Sequence, residues 1–373
     1  GRVVGGSAIT NATIALRGLP GHYDEWNAYG DGYDWQSWLP WFRLIERDVQ
    51  FGAADAHGDR GPIPINRYPR DQWFAIFEHF TQAALARGHA WVDDHNAPGA
   101  VGVGPAPFNM IDGVRITPAD THLAPAMERG NITVVTGAIV DRVVVEHGRA
   151  HAVEVIDAAG NRRWYEADEV IVSLGTYATP ACLLRSGIGA ADKIRPHDIT
   201  VVHDLPAVGQ GMQDHPKISY RFWIDTDAPV WPNPWIQVLL TAYAEIDGEQ
   251  RLFQIMPYAG TTEAGHRFSD WNVQVADARG RTGTIGLAGR DPRLQPRIAM
   301  GWLDLDHEAR RDGGCLAGRA GTGSFVGFQS AAVRRHTHGV RSRRRLRGEG
   351  DPRQRQGDAR AERSRCARRE VRR

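Results

Sequence analysis

Gly5, Gly6, Ser7 and Asn11 fall within eleven residues of one another in the opening segment Gly1-Arg2-Val3-Val4-Gly5-Gly6-Ser7-Ala8-Ile9-Thr10-Asn11. Glycine has no Cβ, so a small-residue loop of this kind lets the backbone lie close to a ligand. An ordinary tight turn is the competing reading. A second candidate lies further on. Asp168-Glu169-Val170-Ile171-Val172-Ser173 has the apolar centre of a buried parallel strand and runs into Gly175 and Thr179-Pro180. Thr179 reads as an N-cap and Pro180 as the first helical residue. Strand, glycine turn and helix together present backbone N–H groups to a phosphate. Most such units bind nothing. The histidines offer less. His336 and His338 sit in an arginine-rich stretch without acidic or cysteine partners, so they read as solvated, and no metal is expected.

The elements that would carry these residues follow from periodicity. Trp35, Trp38, Phe42 and Ile45 recur at helical spacing and predict a helix over 34–46. Asp71 reads as the N-cap of a second helix with the stripe Trp73, Phe77, Phe80 and Ala84 and with Gly88 at its end. Both aromatic stripes read as core. From residue 114 the texture turns to β. Ile132–Val135 is one strand candidate, and segments 142–146 and 152–156 flank His147-Gly148-Arg149 as a hairpin. Tyr220–Ile224 and Trp271–Val275 show the period of two. There is no internal repeat.

The 373 residues are 42% hydrophobic and 24% charged, with a net charge of +1, enough for roughly two domains. Twelve Trp, 11 Phe and 9 Tyr exclude disorder of the whole chain. No run of about 18 apolar residues occurs, which excludes a hydrophobic membrane-spanning helix. Three cysteines make no disulfide framework, and a reducing, cytoplasmic setting is expected. Only Lys193 and Lys217 stand against 43 Arg, the bias of a GC-rich coding sequence, so a bacterial source is expected. Residues 334–373 hold 16 Arg and five acids, leaving an acidic body with a basic tail. The tail's only large aliphatics are Val340, Leu346 and Val371, too few to offset an ordering cost of roughly 1–2 kcal/mol per residue. It is expected to be disordered. With Phe325 and Phe328 as the only aromatics after residue 320, it offers no stacking platform, and no nucleic-acid partner is expected.

Taken in order, several segments resemble the glucose–methanol–choline (GMC) oxidoreductases, choline dehydrogenase-like members included. Gly1–Asn11 with Arg17-Gly18 resembles the family's first signature, with Ala8 in place of a second Ser. Tyr23–Trp26, Leu39–Phe42, and Gly113–Arg115 through Leu123–Ala126 resemble further blocks. Gly175–Gly189 resembles the second signature, with Cys182 replacing an aliphatic residue, and Leu205–Pro216 the block after it. The likeness runs from residue 1 to about 311.

The resemblance implies an α/β fold: a Rossmann-like FAD domain, here incomplete, interleaved with an α+β substrate domain of antiparallel sheet plus helices. On that pattern residues 1–50 are an FAD-domain segment and lid, 51–113 substrate domain, 114–216 FAD domain and 217–311 the substrate-domain sheet. The implied activity is oxidation of a small-molecule alcohol, with hydride passing to the flavin. The implied cofactor contacts are Val4, Gly5, Gly6, Ser7, Asn11, Ala12, Thr13, Ile14, Val140, Gly175, Asp214 and His215. Some members carry a flavin-linked His where Thr10 stands, so FAD is expected to be non-covalent. His215, in Gln-Asp-His-Pro, is expected beside the cofactor and not as the base. The family's catalytic His, in a His-Pro-x-Gly-Thr context near the C-terminus, has no counterpart in the C-terminal stretch, so no catalytic residue is assigned. A fragment is expected, beginning after the family's Gly-x-Gly-x-x-Gly loop and leaving the family pattern near residue 312 through a frameshift. A flavin-free, non-catalytic remnant is the alternative.

Overall fold

The computed structural model describes residues 1–224, 235–246, 248–263, 265–276 and 282–301. The expected helix start at 306–311, the arginine-rich tail at 312–373, and His336 and His338 lie outside the described residues. In chain order the principal elements begin with helix α1 (Trp35–Ile45), strands β1 (Glu46–Asp48) and β2 (Ile63–Ile65), and helix α2 (Ala75–Leu85). Strands β3 (Gly102–Pro105), β4 (Ile139–Glu146), β5 (Arg149–Ile156) and β6 (Arg162–Glu166) precede helix α3 (Gly175–Arg185). Strands β7 (Lys217–Ile224), β8 (Val238–Ile246), β9 (Glu249–Thr261) and β10 (Arg267–Val275) follow.

The largest sheet is antiparallel, in the order β7-β10-β9-β8-β3. The two segments of period two meet in it, with Tyr220 opposite Trp271 and Ser219 opposite Asn272. β3 joins from more than 130 residues upstream, with Gly104 opposite Leu239. Helix α2 lays its stripe on this sheet: Phe77, Phe80 and Ala84 are buried, and Phe80 meets the Trp271 ring edge-on at 5.3 Å. The aromatic residues of α1 pack chiefly on one another and on Tyr23, with only Trp35 fully buried. Asp34 caps that helix by accepting from the Ser37 N–H at 2.8 Å.

A second, three-stranded sheet runs β4-β5-β6. Its hairpin turns at His147 and Gly148, both with positive φ (51° and 78°), the backbone of a type I′ turn. Helix α3 is pinned to β4: Val143 N–H donates to Ser186 Oγ at 2.8 Å, and Arg185 Nε donates to the Asp141 carbonyl at 2.8 Å. Cys182 is buried there as a free thiol.

Four local expectations fail, because caps and strands take their form from partners that the local sequence does not show. Asp71 lies in a 3-10 turn (Arg70–Gln72), and α2 starts at Ala75 after the N-cap Phe74. Its cap comes from elsewhere: Phe74 N–H donates to Oε1 of the buried Gln237 at 2.8 Å. Helix α3 starts at Gly175, so Pro180 lies inside it, and Thr179 Oγ1 accepts instead from Leu174 N–H at 3.0 Å. Residues 132–135 and 168–173 form no strand. No described residue supplies either with a ladder partner, and Val135 and Ile171 are 51% and 81% exposed where a central strand would bury them. Gln237→Leu removes the α2 cap and the Gln237 bond to the Gln72 carbonyl. A loss of about 1–3 kcal/mol in denaturant unfolding is expected.

Candidate functional site

The Gly5–Ile14 loop is shaped by two adjacent left-handed residues, Gly5 (φ 89°) and Gly6 (φ 59°), which lead into a 3-10 turn over Gly6–Ile9. A Cβ on Gly5 would fall 2.8 Å from Ile9 Cγ1 and 3.2 Å from Ala119 Cβ. A Cβ on Gly6 would meet nothing within 4 Å. Gly5 is therefore required by packing, whereas Gly6 borders open space that a ligand can enter. The carbonyl of Ser7 accepts from Thr10 and Asn11 N–H at 3.1 and 2.9 Å. Val4, Ser7, Asn11 and Ala12 are exposed.

Arg115 grips this loop from below. Its guanidinium donates to the Ala8 carbonyl (3.0 Å), the Asn11 carbonyl (2.6 Å) and Asn11 Oδ1 (2.5 Å). Thr13 and Ile14 point inward and act as the loop's anchor. Thr13 is buried with φ 60° and donates from Oγ1 to the Ala12 carbonyl at 2.6 Å. Ile14 packs on the cluster of Ala106, Phe108, Met110, Ile236 and Leu239.

The other candidates sit on different elements, and no hydrogen bond among the described residues joins them to this loop. Val140 is half-buried on β4, which among the described residues is an edge strand. Its carbonyl accepts from Arg185 Nη2 at 3.4 Å. Gly175 is exposed at the start of α3 with φ 85°. Asp214 and His215 are exposed in the loop after Met212, and Asp214 Oδ1 accepts from His215 N–H at 2.7 Å. Met212 anchors that loop by pairing with Gly283.

A group of six charged residues escaped sequence reading. Arg17, Glu46, Asp48, His57, Arg67 and Asp94 form one ionic network, every side chain at most 7% exposed. His57 Nδ1 lies 3.0 Å from Glu46 Oε1, and its Nε2 lies 2.8 Å from Asp94 Oδ2. Arg67 spans Asp48, at 2.9 Å, and Asp94. Arg17 reaches Glu46 at 2.5 Å. Burial opposes charge on His57, but the hydrogen bonds to Asp94 and Glu46 outweigh it and push its pKa up to about 9. Burial also opposes charge on Asp94, yet His57, Arg67 and the Asn96 N–H hold it down to about 2. Glu46 is lowered against its burial by His57, Arg17 and the Gly58 N–H. The sequence offers no local signal for this group: Glu46, Arg47 and Asp48 are all charged, and only the fold buries the first and third.

Asn96 belongs to the same cluster through Asp94, and its role here is structural. Its Oδ1 accepts from Arg17 N–H at 2.9 Å, and its Nδ2 donates to the Ala15 carbonyl at 2.9 Å. Asn96 thereby braces the flank of the loop.

A cleft of about 630 Å³ lies beside β4, lined by Asp141, Arg142, Glu154, Arg162 and Arg185 among others. Its charges neutralise one another. Arg142 pairs with Glu154 at 2.7 Å, Arg162 with Asp141 at 2.6 Å, and Arg185 with Asp141 at 3.2 Å.

Comparison with known proteins agrees with the residues quoted above. The family model described as GMC oxidoreductase matches residues 1–217. A GMC-type oxidoreductase of Rhodococcus erythropolis, from the thcA 5′ region, is 34% identical over 319 residues, 84% of this chain and 62% of its own. The mitochondrial choline dehydrogenase of Mus musculus is 35% identical over 219 residues, 58% of this chain and 36% of its own. Among solved structures, pyridoxine 4-oxidase from Mesorbium loti superposes with a TM-score of 0.72 at 25% identity, covering 83% of this chain and 63% of that one. The chain thus spans less than two thirds of the length of each. Its mixture of helices and antiparallel sheet is the α/β architecture that the resemblance implied. The chain belongs to the GMC oxidoreductase family.

Proposed function

We propose that this chain is the FAD-contacting part of an alcohol oxidoreductase. The observation that carries the reading is the Gly5-Gly6 pair: two left-handed glycines, the second facing open space, in a loop that Arg115 holds in place. When bound, FAD supplies the hydride acceptor. The chain's own part is to bind and orient it. Gly6 admits close approach, Ser7 and Asn11 are exposed beside it, and the half-buried Val140 on β4 is assigned to the adenine on the family pattern. Gly175, Asp214 and His215 are assigned to the cofactor's rim on the family pattern. Thr13 and Ile14 act through the backbone they anchor. Thr10 cannot form the bond that links flavin to His, so FAD is held non-covalently.

Choline and pyridoxine, named for the two relatives, are both alcohols, which supports an alcohol as substrate. Residues 1–50 and 114–216 are assigned to the FAD domain, and 51–113 and 217–311 to the substrate domain. The joining of β3 to strands β7–β10 supports that interleaving. A cytoplasmic location is part of the same reading. Among the described residues, no helix is long and apolar enough to cross a membrane.

The test is an assay with added FAD, an artificial electron acceptor and a panel of primary alcohols. A general base contributes about 10²–10⁴-fold, and none is assigned in this chain. Turnover by residues 1–373 is therefore expected to be lower by at least that factor than in a chain extended with a Gly-x-Gly-x-x-Gly loop and a His-Pro-x-Gly-Thr block. Equal rates would place the base among residues already present. An extended chain that is inactive on every alcohol would favour the flavin-free remnant.

A further inference from the structure

We propose that the Arg17–Glu46–His57–Asp94 chain of ion pairs is a positioning clamp for the Gly5–Ile14 loop, closed only while His57 carries both of its protons. The link to the cofactor rests on the flavin reading of that loop. The clamp itself does not.

The loop leaves through Ala15 and Arg17, and both are held by side chains and backbone of other segments. Ala15 N–H donates to the Pro107 carbonyl at 2.9 Å. Asn96 takes the Ala15 carbonyl and the Arg17 N–H, at 2.9 Å each. The Arg17 guanidinium donates to the Ala56 carbonyl at 2.8 Å, meets Glu46 at 2.5 Å and lies 5.1 Å from the Phe42 ring centre. Asn96 is in turn set by Asp94, whose Oδ1 accepts from the Asn96 N–H at 2.9 Å. The two holds on the loop therefore end on Glu46 and Asp94. His57 is the residue that bridges these two acids, at 3.0 and 2.8 Å.

Geometry alone sets the protonation of His57. A neutral imidazole has one donor and one acceptor nitrogen, and here both nitrogens face carboxylate oxygens. Only the imidazolium donates to both. Charge agrees. Asp48 lies 3.4 Å from Nδ1, and Arg67 backs Asp48 and Asp94, so three acids face Arg17, Arg67 and His57. The buried group is neutral only with His57 charged. The remaining neighbours are the Phe51 ring, 6.1 Å away, and Arg43, which donates to the His57 carbonyl at 3.1 Å. Neither supplies an alternative acid or base to the ring. Removing a proton turns one strong contact into a lone pair facing a carboxylate, and the bridge between the two holds opens. The pKa of about 9 places this opening on the alkaline side of neutrality.

The test is pulsed hydrogen exchange on the full chain without cofactor, with labelling times scaled to the intrinsic rate at each pH. Protection of residues 8–17 is expected to fall at least about tenfold between pH 7 and pH 10 through an opening that added urea barely promotes, while loss at β8 and β9 follows the urea-dependent global unfolding. Glu46→Gln removes one of the acids that raise His57, so the midpoint of the loss is expected to move at least about one pH unit lower, with the sheet still protected. A role confined to bulk stability would show the loss at residues 8–17 only through the urea-dependent unfolding shared with β8 and β9. Loop protection that is flat from pH 7 to 10, or a midpoint unchanged in Glu46→Gln, overturns the clamp. FAD affinity measured over the same range gives the second reading and is expected to weaken at least about tenfold in parallel. A chain that binds no FAD at any pH, yet shows the exchange step, sinks the flavin reading and leaves the clamp standing.

Discussion

The unfolding free energy of this chain is expected to peak near pH 6.5 and to fall by about 3 kcal/mol on each side, through two buried histidines shifted in opposite directions. His57 is 2% exposed, and its folded pKa rises from 6.5 to about 9. Between those values the folded chain holds a proton that the unfolded chain has released. Its contribution is complete below pH 6.5 and is lost as pH rises through 9. His95 is 3% exposed, and the backbone at Gly104 and Leu239 gives its ring too little to offset that burial. Burial pushes its pKa down from 6.5 to about 4. Here the unfolded chain binds the extra proton, so the stability is complete above pH 6.5 and is lost as pH falls to 4. Each shift, at 1.36 kcal/mol per pH unit, gives the roughly 3 kcal/mol quoted. Asp94, lowered from 3.8 to about 2, deepens the loss only below pH 4. Urea midpoints from pH 4 to 9.5 check the profile. His95→Leu is expected to flatten the acid limb and spare the alkaline one. An acid limb unchanged in that variant would remove His95 as its source.

Gly104→Ala is expected to cost at least about 3 kcal/mol, beyond the usual price of overpacking. A Cβ at Gly104 would lie 1.8 Å from the Val92 carbonyl oxygen. Neither backbone can yield. Gly104 is paired with Leu239 in the sheet, and Val92 N–H donates to the Val103 carbonyl at 3.0 Å. The strand that would be pushed off carries Val103, fully buried, and leads into Ala106 and Phe108 under the loop anchor. Gly6→Ala makes the contrast, because its Cβ meets nothing, and only the φ of 59° costs about 1 kcal/mol. Guanidinium unfolding at constant m value separates the two. A Gly104→Ala chain within 1 kcal/mol of the parent would mean that β3 is not seated against Val92 as described.

Features set by neighbouring residues were legible in the sequence, and features set by distant ones were not. The His147-Gly148 hairpin needs only residues that accept positive φ, and the strands at 220–224 and 271–275 show their own alternation, though the pairing of Tyr220 with Trp271 is a contact across the fold. Phe77, Phe80 and Ala84 reached the core because helical spacing alone puts them on one face. The start of that helix was misread, because its cap is Gln237, more than 160 residues away. Residues 132–135 and 168–173 have the composition of strands, but a strand exists only where another backbone pairs with it. The glycines of the candidate site were readable from their spacing. The hold on them was not: Arg115, Asn96 and His57 look like scattered polar residues until the fold brings them to one place.

That Gly6 borders the cofactor space is the claim on which the functional reading stands. Titration of the full chain with FAD, followed by quenching of flavin fluorescence, tests it most directly when the parent is compared with Gly6→Val. The expected result is saturable binding by the parent. Gly6→Val is expected to bind at least about tenfold more weakly, about 1.4 kcal/mol, and to release bound flavin on acid precipitation as the parent does. Its unfolding midpoint should fall by the strain of a β-branched residue at positive φ, and Gly6→Ala, with a cost of about 1 kcal/mol, shows how much of the weaker binding that strain causes. Binding equal in parent and variant, or no binding by a parent that is folded, would contradict the account.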